Sequence, residues 1–219
     1  MTVDEDGSTS EDTRASRARA TRQRVITAAY ELMSDRGYPQ TTMADIAARA
    51  GVAVQTVYFG FGNKPGLLCA AFQYAVRGDH QPVPPHKRQW FETFTSEPDF
   101  AFALTTVVEE TTSILERVAP LTAAMRTLAD DPNITEFQQQ SDRLREDGYR
   151  LTIELLAAKR PLRTGVDIDE ATTVLLLILG PDAYRSMVID HHWNRSRWIT
   201  WTAQMIRESL FQPIEPSRQ

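Results

Sequence analysis

Three places in this chain gather residues able to do covalent or metal chemistry, and each fails on spacing or surroundings. His191 and His192 follow Asp190, a trio that could ligate a metal, but adjacent residues on a helix do not face one another, so a solvated helix end is expected. Gly60-Phe61-Gly62-Asn63-Lys64 has glycines and a lysine, as a phosphate-cradling loop does. Its spacing is wrong, and Pro65 stands where such a loop requires Ser or Thr. Cys69, the single cysteine, lies beside Leu68 on an apolar helix face, where a buried thiol is expected rather than a redox sensor. No nucleophile–base constellation is visible, so the reading is of a non-enzyme with no catalytic residues, no cofactor and no metal.

The charge distribution points to a different kind of chemistry. The 219 residues carry a net charge of −5, which taken alone argues against a nucleic-acid partner. Residues 1–12, however, hold five acids and no base, whereas residues 13–64 hold eight bases against three acids. A short basic segment on an acidic body is what a DNA reader with a separate regulatory body would show, although an Arg-rich solvated helix face explains the same numbers. The longest apolar run, Val174 to Leu179, is far below the roughly 20 residues needed to cross a bilayer. No membrane partner is expected. With one cysteine and no apolar leader, the expected location is the cytoplasm.

The elements that would position a DNA-reading face follow from periodicity and punctuation. Residues 1–13 are acidic and rich in Ser, Thr and Gly, which predicts a disordered tail. Ala15 to Asp35 reads as a helix with Val25, Ile26, Ala29, Leu32 and Met33 on one face. Thr42-Met43-Ala44-Asp45 resembles a capping box, with Asp45 shorter than the usual Glu. The short helix from Met43 to Ala50 presents Met43, Ile46, Ala47 and Ala50 inward. Gly51-Val52 makes a tight turn, and a second short helix runs from about Val54 to Phe59 with Val57 inward. Asn63 can cap a further helix whose first turn tolerates Pro65, with Leu67, Leu68, Ala71, Phe72 and Ala75 on its apolar face. Residues 78–96, with Pro82, Pro84 and Pro85, predict an irregular linker. Helices are expected over 97–117, 120–129, 134–159, 168–190 (interrupted at Gly180-Pro181) and 195–211, with no strand pattern. The fold class is therefore all-α, in two parts: an N-terminal three-helix helix-turn-helix domain over 14–63, and a C-terminal helical bundle over 64–219.

Two short helices joined by a glycine turn form a helix-turn-helix, in which the first braces on the phosphate backbone and the second enters the major groove. Here the match goes further. Thr41-Thr42-Met43-Ala44-Asp45-Ile46-Ala47, Ala50-Gly51-Val52, Thr56-Val57-Tyr58-Phe59 and Phe61-Gly62-Asn63-Lys64, with Leu67-Leu68, strongly resemble the TetR family signature across about Arg24 to Phe72. The resemblance implies that Thr42 and nearby backbone amides bind a phosphate at a helix N-terminus. It implies that Gln55 and Thr56 face base edges, with Gln able to pair bidentately with adenine. Tyr58 would contact phosphate or a thymine methyl, and Lys64 would bind phosphate as a point charge. Two positions depart from the pattern: Ala53 stands where many members have a capping Ser, and Gly60 where many have His. Both predict weaker or more mobile DNA binding.

The resemblance further implies a homodimer that binds a palindromic, double-stranded operator as a repressor and releases it when a small, largely apolar effector binds. In that scheme the helix from Asn63 to about Val76 moves on effector binding. Phe102, Thr105, Glu109, Met125 and Phe137 are candidates for the effector pocket; read singly, they are equally candidates for the core or surface of a bundle. Val174 to Leu179 is apolar all round, and a stripe follows through Trp198, Trp201 and Met205. One chain could bury these internally. Family likeness favours a four-helix interface between two copies that includes Leu175, Ile178, Tyr184, Trp198, Trp201 and Met205. The alternatives are a non-specific architectural DNA-binding protein, or a ligand-binding member that has lost DNA binding.

Overall fold

The computed structural model describes residues 7–78 and 87–213, with side chains from residue 14. The helices are α1 (Gly7–Arg36), α2 (Met43–Ala50), α3 (Val54–Phe61), α4 (Lys64–Arg77), α5 (Gln89–Ser96), α6 (Phe100–Thr127), α7 (Pro132–Lys159), α8 (Ile168–Ile178), α9 (Pro181–Tyr184) and α10 (Arg195–Leu210), with a π-helical turn at Arg185–Asp190. No strand occurs among the described residues; the one extended pairing is an isolated bridge between Leu162 and Phe211. The all-α class is as the periodicity predicts.

The chain divides into two compact units, Met1–His80 with Pro120–Thr135, and Gln81–Ala119 with Glu136–Gln219. The boundary expected after residue 63 does not coincide with this division. In α4, Leu67, Leu68, Ala71 and Ala75 are buried, and Tyr74 meets Tyr30 of α1 edge to face at 5.4 Å, so α4 belongs to the first unit's core. That core also takes Val25, Ala29, Leu32 and Met33 from α1, Met43, Ile46, Ala47 and Ala50 from α2, and Val57 from α3. Full burial of each of its larger aliphatic side chains stabilises the unit by about 1.5–3 kcal/mol.

Three further expectations are revised. The tail expected over 1–13 is helical from Gly7, where α1 begins; residues 1–6 lie outside the described residues. Of the linker expected over 78–96, residues 79–86 lie outside the described residues, while Gln89–Ser96 is helix and buries Phe94. The break expected near residue 118 is absent, because α6 runs through Pro120. Proline there withholds one backbone donor, yet Leu115, Val118, Leu121 and Met125 keep a buried stripe on both sides of it, and that burial sustains the helix. By contrast, Gly180-Pro181 does interrupt the apolar run, with α8 ending at Ile178 and α9 starting at Pro181.

The second unit's interior is dense in aromatic rings. Phe94, Phe100, Tyr149, Tyr184, Trp198 and Phe211 are all buried. Tyr184 meets Trp198 edge to face at 5.5 Å, and Phe100 meets Phe211 at 4.7 Å. Several polar atoms carried inward are satisfied: Trp198 Nε1 donates to Thr112 Oγ1 at 3.0 Å, Thr112 Oγ1 to the Val108 carbonyl at 2.6 Å, and the Tyr149 hydroxyl to the Leu179 carbonyl at 2.6 Å. Such pairing removes most of the desolvation cost of burying polar groups. Burial pushes the Tyr149 phenol well above its ordinary range. Leu144 and Leu151 of α7 are 73% and 37% exposed, so α7 turns a wider face to solvent than its apolar count suggests.

Candidate nucleic-acid interface

The reading face is built from the local chemistry of α2 and α3. Thr42 is the N-cap of α2, and its hydroxyl oxygen accepts the Asp45 N–H at 3.1 Å. Asp45 Oδ2 accepts from the Thr42 N–H at 3.0 Å and from the Thr42 hydroxyl at 2.6 Å. The short Asp therefore closes the full capping box. These bonds hold the Asp45 carboxyl below its ordinary pKa, the Thr42 hydroxyl being the larger cause and its backbone N–H the next. They also occupy the Thr42 hydroxyl on both sides. The N–H groups of Met43 and Ala44, which a helix start leaves without an intrahelical partner, are then the donors available to a phosphate.

Gly51 ends α2 in the left-handed conformation, φ 66° and ψ 44°, which Gly adopts without strain. Two amides fold back across this turn, Gly51 to the Ala48 carbonyl at 3.2 Å and Val52 to Ala47 at 3.0 Å, setting the angle between α2 and α3. Val57 anchors α3 in the core at 0% exposure. Gln55, Thr56 and Tyr58 face solvent on α3, Tyr58 at 47%. The structure thus carries Thr42, Gln55, Thr56 and Tyr58 together on the exposed surface of the helix-turn-helix. Lys64 is half-buried, its ammonium 4.1 Å over the Tyr38 ring, and burial lowers its pKa.

Ala53 provides no side-chain cap to α3. The far end of α3 is held from α1 instead: Arg22 donates to the Gly60 carbonyl at 2.8 Å and lies 4.3 Å over the Phe61 ring. Sequence reading missed this clamp, whose partners are 38 residues apart. The turn into α4 is equally tight. Asn63 Oδ1 accepts the Gly66 N–H at 2.8 Å, and a Cβ at Gly66 would fall 2.6 Å from the Phe61 carbonyl oxygen. Cys69, half-buried on α4, has its thiol pushed up to about 11, first by burial and then by Asp131. It is not an activated thiol.

The other expected site residues are dispersed. Phe102 is 56% exposed, and Thr105 and Glu109 share that solvent face of α6. Met125 is buried in the first unit and Phe137 in the second. Clefts open to solvent at Gln23, Thr27, Glu31 and Arg49 in the first unit, and at Arg160, Arg163, Arg207 and Phe211 in the second. None of the five candidate effector residues lines either. Of the residues expected at a dimer surface, Leu175, Tyr184 and Trp198 are buried inside this single chain because they form its own core. Ile178, Trp201 and Met205 are half-buried. Thr202, fully buried on α10, has a hydroxyl with no partner among the described residues.

A helix-turn-helix with a solvated polar recognition face, joined to an all-helical second unit, defines the class of DNA-binding regulators. The sequence model of the bacterial regulatory proteins of the tetR family matches residues 25–71. Over 184 residues the chain is 27% identical to YdeS, an uncharacterized HTH-type transcriptional regulator of Bacillus subtilis, covering 82% of this chain and 85% of that one. Its fold is similar to that of a transcriptional regulator from Saccharomonospora viridis solved in complex with choline (TM-score 0.67, 18% identity, 88% of this chain and 98% of that one). It is also similar to that of FadR from Bacillus subtilis solved in complex with stearoyl-CoA (TM-score 0.60, 19% identity, 84% and 96%). Residues 25–71 thus resemble the DNA-binding segment of that family.

Proposed function

We propose that this chain is a cytoplasmic, homodimeric repressor that binds a palindromic operator through α2 and α3 and releases it when a small, largely apolar effector binds. The observation that carries this reading is the helix-turn-helix itself. A fully capped α2 sets its first amides towards solvent, and α3 turns Gln55, Thr56 and Tyr58 outward while Val57 fixes its inner side. Two copies related by a two-fold axis would present two recognition helices to two half-sites on one face of a duplex. Exposed apolar positions on the second unit, Leu177 at 74% and Ile189 at 50%, supply surface for pairing in place of the buried Leu175, Tyr184 and Trp198. Effector control is supported by the choline and stearoyl-CoA complexes of proteins with this fold. The unpartnered Thr202 hydroxyl is our candidate polar anchor for an effector in the second unit. An effector acts only through its different affinities for the DNA-competent and released states.

The test is selection of a random duplex library on the purified chain at one fixed, physiological salt, alongside light scattering. An enriched palindrome and a mass twice 24.8 kDa are expected. Retention without a motif would instead describe an architectural binder, and no retention would mean that DNA binding has been lost.

A further inference from the structure

The most exposed large apolar side chain among the described residues sits on the recognition helix. Phe59 is 96% exposed. Its position follows from helix geometry: at 100° per residue it points about 160° away from both Val57, which is buried at 0%, and Phe61, which lies beneath Arg22. Phe59 therefore cannot reach the core its neighbours anchor. Of eight exposed large hydrophobic residues among those described, three (Val54, Tyr58 and Phe59) lie on this one eight-residue helix, with Val54 and Tyr58 one turn apart and Phe59 on its outermost side. Gln55 stands one turn before Phe59 on the same stripe. Beside the ring, Gly60 has no side chain, and nothing lies within 4 Å of where its Cβ would be.

We infer that the Phe59 ring reads the C5-methyl groups of thymines in the major groove, making it a specificity-determining residue. This rests on the DNA-binding reading above. A phenyl ring has no donor or acceptor with which to pair a base edge, and the thymine methyl is the one apolar group that the major groove presents. The occupant is a duplex rather than another apolar surface because the ring lies in the basic segment, where residues 13–64 carry eight bases against three acids. Gln55 supplies hydrogen bonds to one base, and Phe59, one turn on, supplies methyl contact to the next. Together they define a short step containing adenine and thymine within each half-site.

The test uses the full-length chain and the duplex that it selects from a random library. Each thymine in the half-site is replaced in turn by deoxyuridine, which keeps every hydrogen bond and removes only the methyl. One replacement is expected to weaken binding by the wild-type chain about fourfold, the value of one buried methyl. The same replacement should leave binding by Phe59→Ala unchanged, and Phe59→Leu should keep part of the dependence. Since Phe59 is exposed, neither variant threatens the fold, and thermal melting verifies this. The inference is overturned if uridine costs nothing at any thymine, or costs both proteins equally. It is also overturned if Phe59→Ala splits the dimer while the methyl dependence persists, which would place the ring in a protein contact. Failure to select any duplex overturns the DNA-binding reading itself, and the inference with it.

Discussion

The two units treat aromatic side chains in opposite ways. On the recognition helix of the first, Tyr58 and Phe59 stand in solvent at 47% and 96% exposure. In the second, Trp198, Tyr184, Phe94 and Phe211 are sealed in the interior, with the Trp198 indole hydrogen-bonded to Thr112. The exposed surface of a ring adds nothing to the stability of the free chain and is available to a partner, while sealed rings are the substance of the core. The first unit is thus organised around a surface whose shape comes from caps and a glycine turn. The second is organised around an interior whose shape comes from packing between residues far apart in sequence.

The sharpest way to break this contrast is Trp198→Ala. Removing a fully buried indole is expected to destabilise the second unit by about 3–5 kcal/mol, read as a lower urea midpoint; a loss below about 1 kcal/mol would show that the interior does not depend on it. Next in size is Thr42→Ala, which removes the α2 cap. It should cost about 1 kcal/mol of stability and weaken duplex binding, because the first turn of α2 loses its fixed geometry. An unchanged melting temperature would contradict the structural role given to the cap. In the opposite direction, Ala53→Ser adds the missing cap to α3 and is expected to gain roughly 1 kcal/mol. Gly60→His, with open space at its Cβ, should tighten operator binding; affinities unchanged or reduced in a titration would refute the idea that these two positions limit recognition.

The last effect is a pH dependence. The Cys69 thiol is raised from an ordinary 9.0 to about 11, so the folded state favours the protonated form. Its contribution to stability is fully present below pH 9 and is lost as pH rises through 11. Denaturation midpoints of wild type and Cys69→Ser should therefore draw together between those values. Alkylation by iodoacetamide at pH 8 should be slower than for a cysteine in a short peptide, and peroxide should leave operator binding unchanged. A fast-reacting thiol would contradict the burial that raises its pKa.

The same contrast explains what could be read in advance. The helix-turn-helix was legible because its determinants are local: Thr42 meets Asp45 three residues on, Asn63 meets Gly66, and the Gly51 turn spans four residues. The Arg22 clamp on Gly60 was not, being a contact across 38 positions that leaves no periodic trace. In the second unit nearly everything of consequence is of that kind. Trp198 finds Thr112 across 86 residues, and Lys159 donates to the Thr95 and Glu97 carbonyls across 64 and 62. Apolar spacing marked α8 and α10 as having buried faces. It could not say whether Leu175 and Trp198 face a second copy or the rest of their own chain, because burial leaves the same pattern in both cases.

The basic residues of the first unit are partly committed before any duplex arrives. Arg22 is taken up by the Gly60 carbonyl and the Phe61 ring, Arg49 by Glu31 at 2.7 Å, and Lys64 by the Tyr38 ring. About 0.9 counterion leaves DNA for each phosphate that a cation meets, and a cation held by the protein's own groups is less free to meet one. Of the eight bases in residues 13–64, these three hold the protein's own shape. The affinity of this chain for DNA should therefore decline with added salt less steeply than its arginine count implies, leaving more of its discrimination to groups that carry no charge.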